Sequence, residues 1–200
     1  MRKKKKINLL TIIGLLLIIS GSSILIADYL NTKHRDNAVE QLKQDFLQGI
    51  ENPSESDDDP DFEDNTYGIL EIDSIDVSLP VSDDGNFDRL YHTLVAYSEA
   101  PKPPNAGNFS IAGHNGSCGE LCKFRDLHSV QNGEEIRFID RENTYIYEVY
   151  RNFEVDMSEV WVLNPIEDET TLTLITCKFP SWTRPERIIV HARLKEVIPN

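Results

Sequence analysis

The sequence predicts a small all-β domain carried behind an N-terminal apolar helix. From Tyr67 onward the chain breaks into short apolar or alternating runs, punctuated by turn residues at Asp83-Asp84-Gly85, Pro101–Pro104 and Asn132-Gly133. Many short strands with such punctuation indicate a barrel or a sandwich. Ile7–Ala27 runs for 21 residues without a charge, about the 20 apolar residues a helix needs to cross a bilayer core. Between these parts, Glu51–Asp64 holds eight acids and two prolines and almost nothing apolar. Like charges that repel and cannot bury a core read as an extended linker. The expected organisation is therefore a basic leader and anchor over 1–27, a stalk and acidic linker over 28–66, and one domain over 67–200.

Taken in order, the leader carries five cations at Arg2–Lys6. Basic residues ahead of a span favour a cytoplasmic N-terminus, which puts everything after Asp28 outside a single-pass cell membrane protein. A cleaved signal peptide is the rival reading, with Gly21-Ser22-Ser23 as its cleavage region. Ile24-Leu25-Ile26 continues the apolar run past that point, and the length favours an uncleaved anchor. In Asp28–Ile50, Val39, Leu42 and Phe46 recur at helical spacing, which predicts either an amphipathic stalk helix or an extension of the membrane helix. Strands are expected at Gly68–Ile72, Val77–Val81, Asn108–Ala112, Glu135–Ile139, Tyr145–Tyr150, Phe153–Val155, Thr171–Thr176 and Arg187–Leu194. Asp88–Val95 and Gly119–His128 are candidate short helices.

The formal charge is −14, and more negative still once the leader is set aside. Such a surface does not seek nucleic acid or anionic lipid through bulk charge. Its acids could hold Ca²⁺, but no pattern supports a site, and no cofactor is expected. The three cysteines are Cys118, Cys122 and Cys177. An odd count outside the membrane leaves at least one thiol free unless chains pair.

Three residues carry candidate chemistry. Thr171–Thr176 alternates threonine with aliphatic residues, as a half-buried strand does, and Cys177 stands at its end. His114 closes the apolar run Phe109–Gly113, and Arg187 opens Arg187-Ile188-Ile189-Val190. A thiol, an imidazole and a guanidinium can together break and remake an amide. Each also has a plainer reading: a small buried cysteine, a structural histidine, and an edge ion pair between Arg187 and an acid such as Glu186.

Thr173-Leu174-Ile175-Thr176-Cys177 followed by the strand-initial Arg187, with Ala112-Gly113-His114-Asn115 upstream, resembles the sortases, the cysteine transpeptidases of Gram-positive cell surfaces. The resemblance runs from about Tyr67 to Leu194 and implies a closed eight-stranded sortase-type β-barrel. It implies a thiol nucleophile at Cys177, an acid/base at His114 and an oxyanion or substrate-backbone donor at Arg187, with Arg184 as competitor for that last role. It further implies a groove formed by Ala112, Val160, Val162, Leu163, Ile175, Thr176 and Trp182. The implied substrates are secreted proteins with a C-terminal LPxTG-like sorting signal, and the implied acceptor is an amine of a cell-wall precursor. No metal is part of that implied site. The motifs resemble both class A and class D patterns, so a pilus-assembly or class D enzyme stays open. Two other readings remain: an L,D-transpeptidase-like cell-wall enzyme, disfavoured by the lack of an SHGC-type motif, and a tethered non-catalytic β-domain that binds a surface partner. Cys118 and Cys122 lie outside the family pattern; a local disulfide, two free thiols, or a metal site with His114 and His128 are the alternatives.

Overall fold

Eight strands close into one barrel in the order β1-β2-β3-β4-β7-β8-β6-β5. The computed structural model describes residues 9–51, 66–116, 122, 124–166, 168–178 and 185–200. The strands are β1 (Thr66–Ile72), β2 (Val77–Ser82), β3 (Leu94–Ala96), β4 (Gly107–Ala112), β5 (Glu135–Ile139), β6 (Asn143–Asp156), β7 (Thr170–Cys177) and β8 (Glu186–Pro199). Neighbours pair antiparallel except β2 with β3 and β4 with β7, which run parallel. The interior is filled by residues of alternate parity, among them Leu70, Leu79, Phe109, Phe138, Tyr147, Leu172, Leu174 and Val190, as a small barrel requires.

Sequence and structure differ at four elements. Asp88–Val95 does not form one helix: a 3-10 turn spans Phe87–Tyr91, and Leu94-Val95-Ala96 is pulled into the barrel as β3, buried throughout between β2 and β4. The expected strands Tyr145–Tyr150 and Phe153–Val155 are parts of one strand, β6. A register shift between Val149 and Arg151 carries the polar residues across without breaking the ladder, as a β-bulge does. Of Gly119–His128, the described part is a 3-10 turn at Phe124–Ser129. Strand β7 is buried on both faces rather than one, because a 3-10 turn at Val160–Leu163 lies over its outer face. Its buried threonines are satisfied: Thr171 donates to the Gly107 carbonyl at 3.0 Å and Thr176 to the Gly113 carbonyl at 2.9 Å.

A single helix, α1 (Leu9–Glu51), joins the expected membrane and stalk segments without a break. It is long and apolar enough to cross a membrane. Its N-terminal half is exposed, with Leu15–Ile19 and Ile24–Ile26 facing outward. Its C-terminal half packs on β1 and β2. There the helically spaced pair Val39 and Phe46 is buried, and the Arg141 guanidinium sits 5.4 Å above the Phe46 ring. The acidic stretch after Glu51 lies outside the described residues.

Candidate active site

Cys177 is the last residue of β7 and pairs across the ladder with Arg187, the second residue of β8. The next bond, from the Lys178 amide to the Glu186 carbonyl at 3.0 Å, makes Cys177 and Arg187 a non-hydrogen-bonded pair. Such pairs hold their Cβ atoms about 4.5–5.5 Å apart on one face. The strand alternation puts both side chains on the outer face of the barrel wall, opposite in parity to Leu174 and Val190. Arg187 is the site's cation there, and its charge is felt by Tyr97 and by Asp156.

His114 reaches the same place from β4. Parallel pairing brings Ala112 level with Ile175. Past that point the Gly113 amide donates to the Ile175 carbonyl at 3.0 Å and the Thr176 hydroxyl donates to the Gly113 carbonyl. The Asn115 side-chain amide donates to the Cys177 carbonyl. These bonds bracket His114 and set it alongside Cys177. Gly113 has to be glycine: a Cβ there would run into the Phe124 ring and come within 2.8 Å of Leu94. The His114 ring is partly buried against Tyr91, with centroids 5.2 Å apart. Its Nε2 is buried without a hydrogen-bond partner among the described residues. Burial pushes its pKa below the ordinary imidazole value, because a charged ring loses water it cannot replace.

An apolar patch continues from Cys177 along the same outer face. Val162, Ile175 and Ile189 are buried in it, with Tyr97, Phe153, Val155 and Leu163 packed around them. Ala112 is buried beside Ile175 on the neighbouring strand. Thus Ala112, Val162, Leu163 and Ile175 come together as the sequence reading expected. Two expected groove residues do not join them. Val160 is 68 % exposed and is not among the residues packed in the patch. Thr176 has the opposite parity to Cys177, and its hydroxyl is spent on Gly113, so it fixes the His114 segment rather than lining the groove. Trp182 and Arg184 lie outside the described residues.

The sequence reading missed Tyr91, Tyr97, Phe153 and Ile189. Ile189 was reachable, since it lies two residues beyond Arg187 and so shares its face. Phe153 faces Ile189 only through the β6–β8 pairing, which no local pattern announces. A separate cleft of about 460 Å³ opens by Asn115, His128, Lys178 and Ile188. Ile188 and Lys178 have the parity of the barrel interior, so this cleft is not the patch beside Cys177. Cys122 is disulfide-bonded and Cys177 is a free thiol; Cys118 lies outside the described residues. A bonded Cys122 has no thiolate to give, which removes the metal-site alternative.

Comparison with known proteins agrees with this architecture. The chain is 28 % identical over 139 residues to sortase A of Streptococcus agalactiae, covering 64 % of this chain and 53 % of that protein. It is 30 % identical over 127 residues to sortase A of Listeria monocytogenes, covering 64 % and 56 %. The match therefore spans little more than half the length of these relatives. A solved structure of a Clostridium perfringens sortase D5 transpeptidase superposes with a TM-score of 0.62 at 25 % identity, covering 81 % of this chain and 98 % of that one. The sortase-domain family model matches residues 70–195. Since that stretch takes in part or all of each barrel strand, from within β1 to within β8, the chain belongs to the sortase family.

Proposed function

We propose that this chain is a membrane-anchored cysteine transpeptidase that cleaves an LPxTG-like sorting signal and transfers the protein to a cell-wall precursor amine. The observation that carries the reading is the Cys177–Arg187 cross-strand pair with His114 bracketed beside it. The Cys177 thiol passes its proton to His114, its sulfur attacks the carbonyl preceding the signal's glycine, and the C–N bond breaks as His114 gives that proton to the departing amine. A thioester remains. An incoming amine then attacks it, His114 takes the amine's proton, an amide forms and the thiolate leaves. Arg187 donates hydrogen bonds to the oxyanion of each tetrahedral intermediate, a charge present only around the transition states. The patch of Ile175, Ile189 and Val162 receives the apolar part of the signal. α1 serves as an uncleaved anchor with a cytoplasmic N-terminus and the barrel outside.

Family membership sets aside the L,D-transpeptidase reading. A class D rather than class A enzyme is the second reading, favoured by the Clostridium perfringens sortase D5 structure, 98 % of which is matched by this chain. The decisive experiment incubates the full chain with an LPxTG-type fluorogenic peptide and hydroxylamine and identifies the product by mass. Turnover should fall about a thousandfold or more in Cys177→Ala. Wild-type turnover no greater than that of the variant would sink the enzymatic reading in favour of a binding domain. Mass spectrometry of the mature N-terminus tests the anchor; a start near Asp28 would refute it.

A further inference from the structure

The turn Val160–Leu163 supplies one side of the apolar patch, yet it belongs to neither strand of the candidate catalytic pair. What joins it to them is a buried polar chain. Asn108, on β4, is only 3 % exposed. Its side-chain amide donates to the Val162 carbonyl at 3.0 Å and to the Asn164 carbonyl at 3.3 Å. The two carbonyls only accept, so they fix the amide with its nitrogen toward the turn, and its oxygen accepts from the Thr173 hydroxyl on β7 at 2.7 Å. Both of its N–H donors are thus aimed at the backbone of the turn, and Thr173 is itself 1 % exposed. Asn108 lies on β4, the strand that leads through Gly113 into His114. Thr173 shares face and strand with Cys177, four residues on. β4 and β7 therefore hold Cys177, the segment leading into His114, and the Asn108–Thr173 support of the turn in one frame.

We propose that Asn108, oriented by Thr173, is a positioning residue that latches the Val160–Leu163 wall over the outer sheet face and thereby sets affinity for the apolar part of the sorting peptide. The proposal rests on the transpeptidase reading for its substrate and on the hydrogen bonds alone for the latch. Buried hydrogen bonds of this kind contribute enough that losing them shifts an equilibrium about tenfold. Asn108 touches none of the reacting groups, so the cost falls on binding rather than on the chemical step.

Two measurements on the full chain in detergent test this. The first is hydrogen exchange of the backbone amides of 158–166. Exchange there should accelerate about tenfold in Asn108→Ala, in the near-isosteric Asn108→Asp, which lacks the donors, and to a lesser degree in Thr173→Val. Amides of β7 should stay protected. The second is steady-state turnover of an LPxTG-type peptide with hydroxylamine. KM should rise about tenfold with kcat little changed, and iodoacetamide should alkylate Cys177 at the wild-type rate. Unchanged exchange in Asn108→Asp overturns the latch, and faster exchange with an unchanged KM overturns its role in the groove. A fall in kcat with KM held would assign Asn108 to the chemistry instead. If Asn108→Ala fails to fold, Asn108→Asp and Thr173→Val, which preserve volume, decide. If the wild type itself turns over no peptide, the transpeptidase reading fails and the exchange measurement alone judges the latch.

Discussion

At the scale of single residues, two imidazoles are under the same pressure for different ends. His191 is 9 % exposed, with its ring edge-on to Phe153 at 5.1 Å and its Nδ1 3.3 Å from the Tyr150 hydroxyl. Burial holds its pKa below the ordinary value, with the Val162 backbone pulling the other way and the Arg151 charge adding to the lowering. The unfolded chain protonates such a ring near pH 6.5 while the folded chain resists. Its stabilising effect is therefore complete above about pH 6.5 and is lost as pH falls through the depressed folded-state value. Thermal denaturation of wild type and His191→Gln should show a gap at pH 7.5 that narrows at pH 5.5; a gap constant with pH would show that the ring ionises alike in both states. His114 is lowered for the same reason, but the proposed chemistry asks its ring to carry a proton. The Tyr91 ring beside it keeps water from its face. Tyr91→Ala should move the imidazole limb of the kcat/KM profile upward in pH, towards about 6.5, and an unmoved limb would show that Tyr91 does not set the ring's environment.

At the scale of elements, β4 and β7 determine whether the site exists at all. Gly113 sits where any Cβ meets the Phe124 ring, so Gly113→Ala has to push β4 or the Phe124 turn outward and carry His114 with it. Turnover should fall at least about tenfold, while far-UV circular dichroism stays that of a barrel; full activity would show that the segment yields without moving the ring. The three candidate residues are legible in the sequence because each stands at or just past a strand end inside a recognisable motif. β1, β2, β4, β5 and β7 are legible as short apolar or alternating runs, and the Val39–Phe46 face of α1 through its helical period. What was not legible depends on partners distant in sequence. β3 is three residues long and is a strand only because β2 and β4 flank it. β6 continues through Arg151-Asn152 because β8 pairs with it on both sides of the shift. The resemblance implies Thr176 in the groove, yet adjacent strand residues face opposite ways, and Thr176 turns from Cys177 toward Gly113. Asn108 looked like an ordinary strand residue, since its partners lie 54 to 65 positions away.

At the scale of the whole molecule, α1 and the candidate site sit on opposite walls of the ring, since β1 and β2 are diametric to β7 and β8. Burying a side chain such as Phe46 stabilises a contact by about 1.5–3 kcal/mol. Phe46→Ala should therefore release the C-terminal half of α1, seen as faster limited proteolysis between Asp28 and Glu51, with the barrel itself intact; unchanged cleavage would show that Val39 and Arg141 suffice to hold it. The docked helix has one more consequence on the proposed topology. A helix rises 1.5 Å per residue, so Val39 stands about 18 Å and Phe46 about 28 Å beyond Ala27 along one rigid rod. The barrel is thus mounted on a post and not trailed on a leash. Under the proposed function, clients would have to present their sorting signals at the elevation the post dictates, and a tail too short to climb that far from its own lipid segment would go unprocessed however well its residues matched the groove.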